Sequence, residues 1–256
     1  PTFINIAHLP HNELVEQLKQ SSTRTAILNE TDTDPDPKIL FDGMSRMIQS
    51  MLHRLYPMGE IPDYEPDPTK SFVSIAETKN TTPEAVLYDY MLENDGYAMG
   101  MMPIFNYVDG NHDVIREMLL HPQAVSGLSD GGAHCGMICD ASIPTFMLSH
   151  WTRDRTRGKK LPLEWIIKKQ TNDTASLYGL NDRGTLHAGK RADINVIDYN
   201  ALTLHGPKMA HDLPAGGRRL LQEATGYDYT IVAGTITRQS GQDTGQRPGR
   251  LIRGAR

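Results

Sequence analysis

The stretch AVSGLSDGGAHCG (residues 124–136) contains a short apolar run, an aspartate and a Gly-Gly pair. An apolar run bounded by turn residues is typical of a buried strand, and we predict such a strand at residues 123–130, ending on Asp130. Since Asp and Gly favour turns, Asp130 could simply close a turn, with His134 beyond it incidental. At the end of a parallel strand the same carboxylate could instead bind a metal or act as a general base. The stretch by itself leaves both interpretations open.

Apolar strands alternate with helical segments around this stretch. Residues 96–105 are an apolar segment that we predict to be a second buried strand, ending near Asn106, and residues 3–7 predict a third strand. A helix is predicted at residues 111–121. Near-continuous apolar strands separated by helices indicate an α/β fold with a parallel sheet. Because functional side chains gather at the carboxyl ends of such strands, Asn106 is a candidate for lining a site, and a strand-end cap is an equally good explanation.

The sequence changes character after residue 180. Residues 181–256 are rich in glycine turns, and YTIVAGTITRQ (residues 229–239) predicts a hairpin with Gly234 in its turn. Helical patterns dominate upstream of this region. We therefore predict two domains, an α/β domain at residues 1–180 and a strand-rich segment at residues 181–256.

The composition restricts the class of partner. The chain has 256 residues, 26 basic and 31 acidic side chains and a formal net charge of −5, and without a basic stripe no nucleic-acid partner is expected. No apolar run reaches the length of a membrane span, so no membrane partner is expected either. The two cysteines, Cys135 and Cys139, fit neither a disulfide framework nor a CxxC pair. Free thiols predict a reducing compartment, and we expect a cytoplasmic protein.

A second string, DRGTLHAGKRADINVIDYN (residues 182–200), resembles the C-terminal signature of the amidohydrolase superfamily. In that superfamily the signature leads the chain out of a (β/α)8 barrel into a small β-sandwich. Residues 171–184 and 229–254 are also similar to the family's pattern. They depart from it at residues 173–174, where proline is common, and at Ala233, where asparagine is common.

Within the superfamily, GLSDGGAH (residues 127–134) and RPGRLIRG (residues 247–254) most resemble the N-acyl-D-amino-acid deacylase (D-aminoacylase) branch. The resemblance implies that Asp130 is the metal-linked catalytic carboxylate, which takes a proton from zinc-activated water and delivers it to the leaving amine. The Gly-Gly pair is small, so substrate can approach the backbone closely. The candidate substrate-binding residues are Ser129, Gly131, Gly132, His134 and Asn106.

The chain lacks most of the zinc ligands that the resemblance implies. The family carries a His-x-His on its first strand, a Cys or Glu on a later strand and two further histidines, and this chain has no His-x-His. His8 and His11 could form a ligand pair, but two exposed loop imidazoles are the simpler interpretation. Cys135 is more consistent with a small buried or loop thiol than with a ligand. We therefore expect a zinc cofactor whose ligands lie mostly outside this chain.

The length sets a limit on the predicted barrel. A complete (β/α)8 barrel needs roughly 250 residues, so residues 1–180 can supply only part of one. The predicted fold class is α/β: a partial TIM-like (β/α)8 barrel, consisting of its last strands and helices, plus part of a small β-sandwich. Because an open half-barrel exposes sheet edges, we expect a missing N-terminal half or a second chain as partner, and a homo-oligomer is a further option.

The resemblance implies a hydrolase of linear amide C–N bonds whose substrate is an N-acyl-D-amino acid or a related small amide. Two alternatives stay open: a cyclic-amide hydrolase of the hydantoinase or dihydropyrimidinase type, and a non-catalytic structural subunit without a complete metal site. A Rossmann-type nucleotide binder is a poor match, because GGAHCG (residues 131–136) lacks the G-x-G-x-x-G spacing.

Overall fold

The computed structural model describes residues 2–30, 50–127, 129 and 135–253. These residues combine helices and sheets and group into two units. The first unit lies within Pro1–Gly59 and Asp63–His112, and the second lies within Glu60–Pro62 and Asp113–Arg256. Among the described residues, no helix combines the length and the apolar character needed to cross a membrane.

The first unit is mainly helical. Its α-helices are α1 (Thr2–Ile6), α2 (His11–Leu18), α3 (Ser21–Leu28), α4 (Phe72–Lys79), α5 (Pro83–Met91) and α6 (Glu93–Gly96). Short 3-10 turns lie at Leu52–Arg54 and Pro68–Lys70. The helix predicted at residues 111–121 belongs to the second unit and is described below.

Local capping signals fix where α4 and α5 begin. The Ser71 hydroxyl accepts the backbone N–H of Ser74 at 3.2 Å at the start of α4. The Thr82 hydroxyl accepts the N–H of Ala85 at 3.2 Å at the start of α5, and Pro83 occupies the first turn. Each cap satisfies an N–H group that the helix itself leaves without a partner. Both helices therefore begin where a side-chain hydroxyl caps the first turn.

The core of the first unit lies around α4 and α5. Its buried side chains are Leu52, Leu55, Phe72, Ala76 and Val86. The Phe72 ring is fully buried and packs on the Tyr90 ring, with 5.3 Å between their centroids. The Tyr90 hydroxyl donates to the Met99 carbonyl at 3.0 Å, which joins α5 to the chain that follows it.

The second unit contains the remaining described helices and most of the strands. Its α-helices are α7 (Asp113–Leu120), α8 (Ile143–Ser149), α9 (Leu163–Lys168) and α10 (Thr174–Leu177). A π-helical turn, His150–Asp154, follows α8, and a second, Lys169–Asp173, joins α9 to α10. Two 3-10 turns lie at Asp140–Ser142 and Pro214–Gly216. The core of this unit consists of Met147, Trp151, Leu161 and Ile166.

All strand pairings in the described part of the chain are antiparallel. The strands are β1 (Tyr56–Pro57), β2 (Gly100–Met101), β3 (Ile194–Ile197), β4 (Thr203–Leu204), β5 (Lys208–Leu213), β6 (Gly217–Leu221), β7 (Ala224–Thr225), β8 (Tyr227–Val232), β9 (Thr235–Gln239) and β10 (Gln242–Asp243). One sheet has four strands in the order β10-β9-β8-β3, and the others pair β1 with β2, β4 with β7 and β5 with β6. The described residues form neither a parallel sheet nor a closed barrel, so the partial barrel and the β-sandwich remain predictions.

The hairpin predicted after residue 180 is confirmed as β8 and β9. Val232 pairs with Thr235, which leaves Ala233 and Gly234 as a two-residue turn. Both turn residues have positive φ, 50° for Ala233 and 79° for Gly234. Tight hairpin turns with positive φ match the right-handed twist of the flanking strands. The domain boundary near residue 181 is a separate prediction that stays untested.

The strand predicted at residues 3–7 is wrong, because this segment belongs to α1. The backbone N–H of Ala7 donates to the Phe3 carbonyl at 2.9 Å, which is the i→i−4 bond of an α-helix. Phe3 is 46% and Ile4 75% exposed, so these side chains do not form a buried strand. A short apolar run has no periodicity long enough to distinguish a strand from a helix.

The other two predicted strands are also corrected. The strand predicted at residues 96–105 is reduced to β2, and the segment that follows includes Pro103, which has no N–H to donate to a ladder. Described residues 123–127 form no strand. Instead, the carbonyls of Ala124 and Ser126 accept hydrogen bonds from side chains. These two carbonyls therefore accept hydrogen bonds from side chains instead of from a neighbouring strand.

Candidate functional site

The structure describes two of the six site residues predicted from the sequence, Ser129 and Asn106. Asp130, Gly131, Gly132 and His134 lie outside the described residues. Ser129 is half-buried and belongs to the second unit. Asn106 is exposed, has a φ of 57° and belongs to the first unit, five residues beyond the end of β2. The roles predicted for all six residues therefore remain predictions.

The segment that leads into Ser129 is anchored through its backbone. The Lys169 ammonium donates to the Ala124 carbonyl. The Thr174 hydroxyl lies 3.2 Å from the Ser126 carbonyl and 2.9 Å from the Lys169 carbonyl. Lys169 begins the π-helical turn between α9 and α10, and Thr174 follows it. Because a hydroxyl has one proton and the Lys169 carbonyl is its nearer acceptor, the Lys169 ammonium is the main contact that holds the segment.

Lys169 is unusual among the lysines because it is buried. Only 4% of the residue is exposed, and its Nζ lies 4.7 Å from the centre of the Trp165 ring. Burial lowers the pKa of Lys169 below its ordinary value, and the negative charge of Asp173 opposes that shift. A buried ammonium needs compensating partners, which the carbonyl and the aromatic face provide.

The chain after the predicted site is also tied to its surroundings. The Cys135 carbonyl accepts the backbone N–H of Leu220, in β6, at 2.7 Å. Cys135 and Cys139 are both free and half-buried, which confirms the sequence interpretation of unpaired thiols. Burial, with a smaller effect of Asp140, raises the pKa of the Cys139 thiol.

A buried polar cluster in the first unit consists of Glu65, Tyr107 and His112. Their exposed fractions are 2%, 3% and 8%. The Glu65 Oε1 accepts the backbone N–H of His112 at 2.7 Å, and the Tyr107 hydroxyl donates to the Pro66 carbonyl at 2.5 Å. The Tyr107 and His112 rings meet edge to face, with 5.1 Å between their centroids. The cluster therefore joins a proline-rich loop to the chain just before α7.

Local backbone geometry places Glu65 in this cluster. The N–H of Glu65 donates to Asp63 Oδ1 at 3.0 Å, which forms a turn in the loop. Gly110 has a φ of 63°, and a Cβ at this position would lie 2.5 Å from Cγ of Pro68. Glycine is therefore required where the two segments approach. No sequence signal singles out Glu65 or His112, because an acidic residue in a proline-rich loop and an isolated histidine are both typical of exposed positions.

Glu65 and His112 are residue types that can hold a divalent metal. A ligand atom of each lies within 4.8 Å of the other. Carboxylate oxygens and imidazole nitrogens are both common zinc ligands. A hydrolytic zinc centre uses about three protein ligands together with water, so this pair fits a part of such a ligand set.

His11, half of the ligand pair considered from the sequence, has a structural role. Its Nε2 lies 2.8 Å from the Asp95 carbonyl oxygen, so the ring donates a proton there. The ring also packs on Tyr97, with 4.3 Å between the centroids. A nitrogen that donates to a carbonyl is not free to bind a metal, and His8 is exposed. His8 therefore fits the interpretation of an exposed imidazole, whereas His11 begins α2 and is half-buried.

Comparison with known families identifies the class of protein. The profile of the Amidohydrolase family matches residues 94–238. The match spans more than half of the chain and includes residues 127–134 and 182–200, whereas residues 247–254 lie outside it. The chain belongs to the amidohydrolase family.

Solved structures of D-aminoacylase match the chain at low similarity. One is the crystal structure of D-aminoacylase that defines a novel subset of amidohydrolases, with 23% identity and a TM-score of 0.39. Another concerns the functional role of the binuclear metal center in D-aminoacylase, with 22% identity and a TM-score of 0.38. Each match covers 77% of this chain and 37% of the solved chain, so this chain spans little more than a third of their length. No curated protein sequence matches the chain significantly.

Proposed function

We propose that the protein is a metal-dependent hydrolase of linear amide C–N bonds, with N-acyl-D-amino acids as its substrate class. The observation that carries the proposal is membership of the amidohydrolase family over a span that contains GLSDGGAH (residues 127–134). The resemblance of that motif and of RPGRLIRG (residues 247–254) to the D-aminoacylase branch supports the finer assignment.

In this proposal Asp130 moves the proton. Hydrolysis adds water across the C–N bond, so a proton must leave the attacking water and reach the departing nitrogen. An aspartate carboxylate is ionised at neutral pH and can accept the first proton. It then delivers that proton to the amine, which leaves the carboxylate product behind. In the proposal the same carboxylate serves both steps, since it releases in the second step the proton that it accepts in the first.

Zinc is the metal that we propose, with Asp130 among its ligands and the others mostly outside this chain. When bound, zinc would polarise the amide carbonyl and lower the pKa of water. The residues of the chain contribute the carboxylate, its backbone support and the surrounding pocket.

The remaining predicted site residues would bind substrate. Gly131 and Gly132 have no side chains, so the substrate can approach their N–H groups closely. The Ser129 hydroxyl and the His134 ring can donate hydrogen bonds to a carboxylate or an amide oxygen. We propose that these donors orient the acyl amino acid without taking part in proton transfer.

The substitution Asp130→Asn tests the proposal in the full-length protein that contains this chain. An amide cannot accept a proton as a carboxylate does, so turnover of N-acyl-D-amino acids should fall by about a thousandfold or more while the fold is kept. Amine release measures the rate, and circular dichroism checks the fold. The matched control is Asp228→Asn, which changes an exposed carboxylate of the second unit and should keep full activity. Wild-type-like turnover by D130N would remove the proposal.

A substrate panel separates the alternatives. Hydantoin and dihydropyrimidine substrates are tested beside N-acyl-D-amino acids and their L enantiomers. Preference for a cyclic amide would replace the deacylase assignment with a cyclic-amide hydrolase. Absence of turnover on every substrate, together with absence of bound zinc, would favour the non-catalytic subunit.

A further inference from the structure

Glu65 and His112 place a carboxylate and an imidazole together inside the first unit. Only 2% of Glu65 and 8% of His112 is exposed, and a ligand atom of each lies within 4.8 Å of the other. Buried carboxylates in proteins are paired with other groups or coordinate metals. Neither residue belongs to the motifs on which the proposed hydrolysis depends, so the pair is a candidate for a separate site.

The separation of the two side chains suits one shared cation. Zinc binds imidazole nitrogen and carboxylate oxygen at about 2.0–2.2 Å, so two ligands of one zinc ion lie at most about 4.3 Å apart. The ligand atoms of Glu65 and His112, within 4.8 Å of each other, are close to that limit. Small rotations about side-chain bonds therefore suffice to bring both atoms into contact with one ion.

Hydrogen bonds orient the Glu65 carboxylate. Its Oε1 accepts the backbone N–H of His112 at 2.7 Å, and the backbone N–H of Glu65 donates to Asp63 Oδ1 at 3.0 Å. Carboxylates that bind metals are themselves held by such hydrogen bonds, which fix the direction of their oxygens. Because one of these bonds runs directly to the backbone of His112, it also limits how far the two side chains can separate.

Tyr107 contacts both sides of the pair. Its ring meets the His112 ring edge to face, with 5.1 Å between the centroids, and its hydroxyl donates to the carbonyl of Pro66 at 2.5 Å. Tyr56 packs on Tyr107 in turn, at 6.4 Å between ring centroids, and both tyrosines are only 3% exposed. An ion beside these rings would be shielded from bulk water, which strengthens its attraction to the carboxylate.

The two side chains select the kind of metal. Imidazole nitrogen suits zinc and neighbouring transition metals, whereas magnesium and calcium prefer oxygen ligands. Two protein ligands leave coordination positions for water or for a further donor. A divalent transition metal therefore fits the pair better than an alkaline-earth ion.

We propose that Glu65 and His112 bind a divalent transition metal, which joins the loop at residues 63–68 to the chain at residues 107–112. The site is structural in this proposal, since it connects two segments of the first unit and takes no part in amide hydrolysis. The inference does not depend on the proposed function. A wild type that hydrolyses no amide would end the deacylase assignment and leave the metal-binding measurements below unaffected.

The test measures the zinc dissociation constant and the zinc content per chain after chelation, with zinc as the probe. It uses the full-length protein carrying Asp130→Asn, so that the proposed catalytic ligand does not contribute. Changes outside the ligand shell cost about tenfold to a hundredfold in metal affinity. Glu65→Gln and His112→Gln each remove a ligand and should therefore weaken zinc binding by about a hundredfold or more. Tyr107→Phe removes only the hydroxyl and should weaken it by about tenfold.

The first unit provides a matched control for each ligand. Glu77→Gln changes an exposed carboxylate and His8→Gln an exposed imidazole, and both should bind zinc as the D130N protein does. Glu65→Gln keeps an oxygen that can accept the His112 N–H, so its loss of zinc would report the ligand rather than the fold. Magnesium is the control ion and should not replace zinc.

Amide hydrogen exchange in the D130N protein locates the ion without altering either ligand. Zinc should slow exchange in peptides spanning residues 63–68 and 107–112 and leave peptides of α8 in the second unit unchanged. Support requires this protection together with weaker zinc binding in E65Q and H112Q. Zinc binding that is equal in D130N, E65Q and H112Q, or absence of protection in the two segments, would overturn the proposal. If E65Q or H112Q is too unstable to assay, the exchange measurement decides alone.

Discussion

Glu65 is a carboxylate with only 2% of its surface exposed, and its Oε1 accepts the N–H of His112 at 2.7 Å. A charged acceptor in a buried position contributes more than an exposed one, because water no longer competes for the bond. The contact fixes the backbone of His112, whose ring packs on Tyr107. At this scale a single acidic residue determines how the loop and the chain before α7 are joined.

Replacing Glu65 tests that role. Glu65→Ala leaves a buried N–H without its acceptor and should lower the free energy of unfolding by about 3 kcal/mol. Glu65→Gln keeps an oxygen acceptor and should lose only about 1 kcal/mol. Urea denaturation of the full-length protein, followed by circular dichroism, measures both values. The control Glu77→Ala, an exposed position in α4, should change stability by less than about 0.5 kcal/mol. Equal effects at positions 65 and 77 would contradict the prediction.

At the scale of secondary-structure elements, short-range contacts determine the sheet formed by β3, β8, β9 and β10. The Ala233-Gly234 turn joins β8 to β9, and β10 adds the edge strand. At that edge Asp243 forms a bidentate pair with Arg247, at 2.9 and 2.8 Å, and also accepts the Gly245 N–H at 2.7 Å. These bonds close the chain beyond β10 into a tight loop.

The Asp243–Arg247 pair should make the stability of this sheet edge depend on pH. The Arg247 hydrogen bonds, together with the Gly245 N–H, lower the pKa of Asp243 from 3.8 to about 2. A lowered pKa means that the pair stabilises the folded state fully above the ordinary value and loses its contribution as the pH falls through about 2. NMR titration of the Asp243 carboxyl should show this midpoint. Arg247→Gln should raise it toward the ordinary value, whereas Arg250→Gln should leave it unchanged. A titration midpoint that is unchanged in R247Q would contradict the conclusion that Arg247 lowers the pKa of Asp243.

At the scale of the whole molecule, family membership and barrel geometry set the expectation. A hydrolytic zinc centre uses about three protein ligands, and a (β/α)8 barrel uses roughly 250 residues. In the proposed function this chain supplies Asp130 as one of these ligands. The partners predicted from the sequence are a missing N-terminal half or a second chain, together with zinc.

Native mass spectrometry with a zinc count on the same sample checks this expectation. We expect the material purified from its natural source to contain additional polypeptide and bound zinc. Chelation should then remove zinc and activity together. A species that consists of this chain alone, without metal, would instead favour a non-catalytic subunit. Titrating zinc back into the chelated protein controls for damage during chelation.

The sequence predicted the helices and the hairpin well because their signals are local. Thr82 and Pro83 mark the start of α5, and Ala233-Gly234 marks the turn between β8 and β9. The strands at residues 3–7 and 123–127 failed for the opposite reason. An apolar run forms a strand only if a neighbouring strand pairs with it, and the sequence of the run does not show whether such a strand is present. The family motif around Asp130 could be recognised from the sequence because it consists of consecutive residues.

By itself, the sequence determined the family of the protein, the capped helices, the β8–β9 hairpin and the candidate catalytic carboxylate. Only the tertiary structure decided that Glu65 and Lys169 are buried and that the carbonyls of Ala124 and Ser126 bond side chains rather than a strand. Periodicity, caps and turns act over a few residues, so they can be read directly from the chain. Burial and hydrogen-bond partners depend on residues tens of positions away, and they exist only once the chain has folded.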